Sequence, residues 1–214
     1  MNQSVVVQFE HVQSRLAELE LTEDVLREAL TLAHSFAARC TPNHPRIYPG
    51  LVMWAETIKA LRDLLRPQGW HSQDEGTYDR VIRSDGAMGI AVASGNEAVG
   101  IPEMEPTNKS PKGRNTIAAV ETNRQLELFP IPVVESKEPD DKDGETWILL
   151  HFYDARKGER RAELSRPRDI DDDGRISAWY ERIILTPLSI DGDFAEIVPP
   201  DQPDVDFDIE RKHL

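Results

Sequence analysis

The hydrophobic period of this chain changes near residue 70, and that change constrains its fold more than any other feature. Before it, apolar residues recur every three or four positions, which is typical of helices that bury one face. After it, residues 78–83 and 88–93 alternate in the manner of strands. The sequence therefore predicts an α+β fold in which an N-terminal helical bundle or cap packs on a mainly antiparallel sheet.

An apolar stripe at heptad spacing runs through residues 4–39. Its members are Val5, Phe9, Val12, Leu16, Leu19, Leu26, Leu30, Ala33 and Ala37. Thr22 before Glu23 and Asp24 signals a helix start, because the hydroxyl accepts a free N–H and acids favour the first turn. We therefore predict helices over 4–20 and 23–39, with one long coiled-coil helix as the alternative. The stripe would pack against the next helix or, alternatively, form a homodimer.

Glycine and proline mark the next boundaries. Residues 41–50 contain three prolines and a glycine and predict a loop, and a third helix follows over 51–66. Asp85-Gly86 lies between the two alternating runs and predicts a hairpin with a type I′ turn, which needs positive φ. A fourth helix is predicted over 116–128.

The second half of the chain predicts further strands. Residues 147–153 are almost continuously apolar, 160–164 would return after a turn, and 175–185 and 194–198 would follow. One sheet shared with the hairpin is the simplest arrangement, and two small domains are the alternative. We predict a helical region over 1–68, a hairpin plus helix over 69–129, an exposed linker over 130–145, an antiparallel β region over 146–199 and an acidic tail over 200–214.

Charge and composition exclude several classes of protein. The chain has 25 basic and 39 acidic residues, so a generally basic nucleic-acid coat is excluded. A single cysteine excludes an intramolecular disulfide framework. Neither a signal peptide nor an apolar run of membrane-spanning length is seen, so a cytoplasmic protein without a membrane partner is expected. Most of the excess acid lies in residues 136–214.

A basic loop precedes the predicted fourth helix. Residues 108–116 carry three cations and no acid, and they end at a helix N-terminus, where free N–H groups and the helix dipole favour an anion. The candidate ligand-binding residues are Lys109, Lys112, Arg114, Asn115 and Thr116. The loop either compensates the charge of an acidic protein or binds a phosphate-bearing ligand such as a nucleotide or nucleic acid.

An acidic turn suggests an incomplete metal site. Asp169, Asp171 and Asp173 stand at alternate positions before Gly174, which matches the front of an EF-hand calcium loop. The twelfth position is Tyr180 rather than glutamate, so the bidentate ligand is missing. These aspartates either bind Ca²⁺ or Mg²⁺ or form an acidic turn between strands.

No combination of residues in the sequence points to catalysis. The histidines form no zincin pair, the serines lack a nucleophile elbow, and no catalytic partner for Cys40 can be identified. Glu210 and Lys212 resemble half of a metal-dependent nuclease site, which would need buried acids on neighbouring strands. The sequence leaves enzymatic activity open but favours a protein without it, and no cofactor is expected.

These observations favour a non-enzymatic interaction protein with a protein partner. Its acidic last third would bind a basic partner or imitate DNA. The alternative is a nucleotide- or nucleic-acid-binding protein that uses the basic loop at 108–116. The tail after Pro199 is expected to gain order only when it is docked.

Three stretches carry a resemblance to a known group of proteins. They are residues 54–70, in which a helix leads into Pro-x-Gly-Trp, residues 111–121, and residues 179–185. Over residues 40–190 the chain resembles uncharacterised proteins of bacterial prophages and integrating mobile elements. The resemblance implies a bacterial cytoplasm and a mobile-element context, and it implies no mechanism. In such a context, the interaction protein would serve regulation, defence or counter-defence.

Overall fold

The computed structural model describes residues 3–75, 78–128 and 144–190. Within these ranges the helices are α1 (Phe9–Glu18), α2 (Glu23–Ala37), α3 (Tyr48–Leu65), followed by a 3₁₀ turn (Arg66–Gln68), and α4 (Arg114–Leu128). The strands are β1 (Ser4–Val6), β2 (His71–Glu75), β3 (Tyr78–Ile82), β4 (Met88–Ser94), β5 (Glu145–Asp154), β6 (Glu159–Ile170), β7 (Ile176–Ile184) and β8 (Leu188–Ser189).

All of these strands belong to one mixed sheet. Their order is β1-β7-β6-β5-β4-β3-β2, and β8 pairs with the start of β6. The β1/β7 and β4/β5 pairs are parallel, and the other pairs are antiparallel. The prediction of an α+β fold with a mainly antiparallel sheet is therefore confirmed. The β4/β5 pair joins the segments before and after the predicted linker in a single sheet.

The main core lies between the sheet and helices α1, α2 and α3. Apolar side chains of the helices meet those of the sheet there, namely Leu16, Leu26, Leu30, Leu61 and Leu65 against Ile90, Trp147, Leu149, Leu164 and Ile183. Most of the predicted apolar stripe is buried in this core, from Val12 to Ala37. The stripe therefore packs within the chain, while Val5 and Phe9 at its start are exposed.

A second, smaller core includes residues from the opposite side of the sheet. It contains Ala93, Val99, Ile148, Leu150, Ile176 and Trp179. Helix α4 packs against β5 and β6, where the fully buried side chain of Asn123 holds it in place. The Asn123 amide nitrogen donates to the carbonyls of Thr146 and Pro167, and its oxygen accepts from the Thr146 N–H at 2.8 Å.

The boundary between the first two helices agrees with its sequence signal. Helix α2 starts at Glu23, and the Thr22 hydroxyl accepts a hydrogen bond from the N–H of Val25 at 3.3 Å. Glu20 adopts a φ of 60° in the turn before it. Two helices are thus confirmed, and the alternative of one long coiled-coil helix is wrong.

The first predicted helix begins later than expected. Residues Ser4–Val6 form β1, which pairs in parallel with β7 and places Val6 opposite Ile183. Three consecutive valines favour an extended backbone, because branching at Cβ suits the pleated surface of a sheet. The helix then starts at Phe9.

Strands β3 and β4 form the predicted hairpin, but with a different turn. Only Gly86 has positive φ (71°) in the turn, so it is not type I′, which requires two such residues. The Gly86 N–H donates to the carbonyl of Arg83, and the Asp85 carboxylate accepts from the Ala87 N–H. The neighbouring guanidinium of Arg83 lowers the pKa of Asp85.

Strand β6 is longer than the sequence predicted. It extends to Ile170, and its register against β7 shifts on both sides of Pro167. Proline has no N–H to donate, so a bulge is the position at which a strand tolerates it. The predicted strand over 194–198, the tail over 200–214 and residues 130–143 of the predicted linker lie outside the described residues. Among the helices of the described ranges, none has both the length and the apolar character that crossing a bilayer requires.

Candidate functional site

The structure uses the basic loop as part of the framework. Asn108 is fully buried, and its side-chain nitrogen donates to the carbonyls of Ser110 and Gly174. Its oxygen accepts from the N–H of Ile176 at 2.7 Å, and the N–H of Lys109 donates to the carbonyl of Ser94. These bonds tie the start of the loop to the sheet.

The basic loop and the acidic turn meet each other, which sequence reasoning did not predict. The Arg175 guanidinium donates to the carbonyls of Asn108 and Lys109, both at 2.8 Å. The N–H of Lys112 donates to the carbonyl of Gly174 at 2.8 Å. Gly174 has a φ of 72°, and a Cβ there would lie within 3 Å of the Lys112 backbone. The two sequence-predicted sites therefore form one structural contact.

The predicted ligand-binding side chains occupy different environments. Lys109, Lys112 and Asn115 are half-buried, Arg114 is exposed and Thr116 is buried. The last three lie in the first turn of α4, which begins at Arg114. None of them lines either of the two cavities described below. Anion binding at this loop stays a prediction.

Two of the three aspartates of the proposed metal site, Asp169 and Asp171, use their carboxylates in other interactions. The Asp171 carboxylate accepts the N–H groups of Asp173 and Arg175 and so caps its own turn. Asp169 lies 3.0 Å from the Arg168 guanidinium. Across the described residues, no group of three or more His, Cys, Asp or Glu side chains is arranged to hold a metal ion. These residues form an acidic turn between strands β6 and β7, and metal binding by them stays a prediction.

An arginine between two histidines supports the C-terminal half of α2. The Arg160 guanidinium is buried and lies 3.1 Å from Nδ1 of His151 and 3.2 Å from Nδ1 of His34. Burial, and secondly the charge of Arg160, lower the pKa of both histidines, that of His151 strongly. Since a guanidinium only donates, both Nδ1 atoms act as acceptors of neutral rings. The cluster therefore serves as support for α2 rather than as a pair of free bases.

Glu163 and Arg182 form a salt bridge in which neither side chain is exposed to solvent. Its two charge-assisted hydrogen bonds measure 2.7 and 2.9 Å. Glu163 also accepts from the Ser165 hydroxyl and the Gly100 N–H, while Arg182 donates to the carbonyl of Met104. A buried ion pair is tolerated when its remaining polar atoms are satisfied in this way. The pair anchors the loop over 100–104 to the sheet.

The described surface contains one region that combines exposed apolar and basic side chains. Residues 29–55 contain no aspartate or glutamate, although the chain has 39 acidic residues. Half of the ten large apolar side chains that are exposed in the described ranges belong to this stretch. We call this region the acid-free surface, and its members are Leu32, Phe36, Ile47, Tyr48 and Leu51 with the exposed Arg39 and Arg46.

The local sequence explains why these side chains face outward. Helix α2 is apolar on two sides, so that Ala33 and Ala37 enter the core while Leu32 and Phe36, four residues apart, lie on the exposed side. The Arg39 guanidinium lies 5.2 Å from the centre of the Phe36 ring. The loop over 38–47 then returns the chain to the first turn of α3. Exposed apolar side chains that are neighbours, as Leu32 and Phe36 are on one side of α2, mark interaction sites, whereas single exposed apolar residues are ordinary.

Two cavities border elements of this half of the molecule. The larger, of about 360 Å³, lies beside α2 and is lined by Thr31, His34, Ser35, Ala38, Arg39, Ser189 and Ile190. The smaller, of about 280 Å³, lies near the exposed Val7 and Phe9. The larger cavity adjoins the acid-free surface, because Arg39 belongs to both.

Comparison with known protein families, curated proteins and solved structures gives no match for this chain. The resemblance to prophage and mobile-element proteins therefore stays a prediction of the sequence. The sequence alone could have indicated this surface, because residues 29–55 contain no acidic residue. Charge counts over longer segments do not reveal that stretch. Residues 1–70 have nearly balanced charge, because acids at both ends of that range mask their absence from its middle.

Proposed function

We propose that this protein is a non-enzymatic interaction protein that binds a protein partner through the acid-free surface. The observation that carries this proposal is the concentration of exposed apolar side chains within one stretch that has no acidic residue. Removing such side chains from water on binding is the main favourable contribution to association.

The charges of the surface indicate the chemistry of the partner. Arg39 and Arg46 would attract acidic groups, and no carboxylate from residues 29–55 opposes them. A protein segment that carries both apolar and acidic side chains therefore fits the surface best.

The other functions suggested by the sequence have weaker support. The backbone of the basic loop is already bonded to the sheet and to the acidic turn. Acidic side chains of the last third form internal ion pairs with arginine, as Glu163 does with Arg182 and Glu181 does with Arg15. Imitation of DNA would therefore rely on the remaining acids, such as Asp171–Asp173. A bacterial mobile-element setting, with a role in regulation, defence or counter-defence, is proposed on the resemblance alone.

A selection from a library of displayed random peptides tests the proposed function. We expect the protein to enrich peptides that contain acidic and apolar residues together. The Leu32→Ser/Phe36→Ser double variant should weaken binding of the selected peptides at least tenfold, measured by fluorescence anisotropy, because burial of two large apolar side chains is lost.

A matched control uses the other exposed apolar pair. Val7→Ser/Phe9→Ser removes side chains of comparable size and exposure, and it should leave peptide affinity within twofold of the parent. Equal loss of affinity in both double variants, or no enrichment by the parent, would rule out the acid-free surface as the binding site.

A further inference from the structure

The described chain ends beside the acid-free surface. Its last two residues, Ser189 and Ile190, line the larger cavity together with Thr31, Ser35 and Arg39. Ser189 belongs to β8, which pairs with the start of β6 and so fixes the position of the end of the described chain. The described chain therefore ends at a cavity that Arg39 also lines.

The sequence that follows complements the surface in charge and hydrophobicity. Residues 191–214 contain eight acidic and two basic residues. Within them, residues 204–210 alternate strictly, with Val205, Phe207 and Ile209 between acids. If such a segment is extended, its apolar side chains lie on one side and its carboxylates on the other. The apolar side would match Leu32 and Phe36, and the net negative charge of the segment complements Arg39 and Arg46.

The connecting chain is long enough to reach the surface. An extended chain spans about 3.3–3.6 Å per residue, so the residues from 190 to 204 can bridge roughly 45 Å. Helix α2, with 15 residues, is about 22 Å long at 1.5 Å per residue. The segment can therefore lie anywhere along the acid-free surface without moving the fold.

We propose that residues 204–210 dock on the acid-free surface of the same chain and compete there with the protein partner. This inference rests on the proposed function, since it names the intramolecular ligand of the same surface. Tethering sets the effective concentration of the segment in about the millimolar range, so even a weak contact would be occupied for much of the time. The apparent affinity for a partner would then equal the intrinsic affinity multiplied by the fraction of molecules whose surface is free.

The single cysteine allows the docking to be measured in the full-length protein. Cys40 is half-buried and lies in the acid-free stretch, just after α2. A nitroxide attached to Cys40 should broaden the amide NMR signals of residues 204–210, with their intensities falling by at least half relative to the reduced label. Unchanged intensities would overturn the proposal. Equal broadening when spin-labelled protein without isotopes is mixed with isotope-labelled protein without the spin label would also overturn it, because the contact would then join two chains.

Charge reversal provides a matched pair of variants. Arg39→Glu/Arg46→Glu should abolish the broadening. Lys59→Glu/Arg66→Glu makes the same change in charge at the other end of α3 and should leave it intact. Equal effects of both double variants would show that net charge, rather than this surface, holds the segment, and would overturn the proposal.

Peptide binding separates failure of this inference from failure of the proposed function. In the Val205→Ser/Phe207→Ser/Ile209→Ser variant, a peptide selected against the acid-free surface should bind roughly tenfold more tightly than it binds the parent. Equal affinity in both proteins would overturn the intramolecular contact and leave the proposed function standing. If no peptide binds the surface of this variant, the proposed function is ruled out.

Discussion

At the scale of single residues, buried charge decides where several elements sit. Arg160 and Arg182 are among the largest fully buried side chains, and each bonds to groups on elements distant in sequence. In the sequence, each of these arginines follows a glutamate, and such charged pairs are usually exposed to solvent. Their burial depends on partners such as His34 and Glu163, because an arginine without acceptors would not leave water.

At position 174, a tertiary contact requires glycine. Its φ is 72°, and a Cβ would meet the Lys112 backbone within 3 Å, whereas Gly86 has nearly the same φ with nothing within 4 Å. We expect Gly86→Ala to lower the free energy of unfolding by about 1–2 kcal/mol through backbone strain. Gly174→Ala should cost about 2–5 kcal/mol, since the clash is added to the strain.

Urea unfolding of the two variants and the parent measures this difference. The pair is matched, because both changes are glycine to alanine at positive φ in a turn. Equal losses of stability would contradict the close contact between the acidic turn and the basic loop.

At the scale of elements, local signals locate most boundaries. Thr22 accepts the N–H of Val25 and caps α2, as its position before two acids predicts. The start of α1 is the exception. Residues Ser4–Val6 continue the apolar stripe in sequence, but they pair with β7 and leave the helix. Periodicity could not reveal this, because a strand of three residues is defined by its partner.

The cap at Thr22 can be tested by comparing two threonines of the same segment. Thr22→Ala should lower the free energy of unfolding by about 1 kcal/mol, since a free N–H of α2 loses its acceptor. Thr31 lies inside α2, and its hydroxyl donates to the carbonyl of Arg27. Thr31→Ala should cost little or nothing, because such back-bonding does not favour a helix. Chemical denaturation followed by circular dichroism distinguishes the two, and a Thr22→Ala variant as stable as the parent would argue against the cap.

At the scale of the whole molecule, a single sheet unites both cores. The β4/β5 pair extends over seven residues and links the segments on either side of residues 129–143. Trp147 lies in the core under α1, α2 and α3, and Trp179 lies in the smaller core. Because the two cores share this sheet, neither can lose its packing without disturbing the other.

We therefore expect one cooperative unfolding transition. Tryptophan fluorescence and helical circular dichroism, recorded along the same urea titration, should give coincident midpoints. A helical signal that disappears well before the tryptophan signal would indicate a separately folding helical region, and it would support the alternative of two domains.

The sequence by itself determined the α+β class, the two-helix start, the hairpin and the three long strands between residues 145 and 184. These features follow from periodicity, caps and turns, which act between residues a few positions apart. Only the tertiary structure decided that the basic loop meets the acidic turn, that Ser4–Val6 forms a strand, and that Leu32 and Phe36 stay exposed. The physical reason is that these outcomes depend on hydrogen bonds and burial shared with distant residues, whose positions no local pattern specifies.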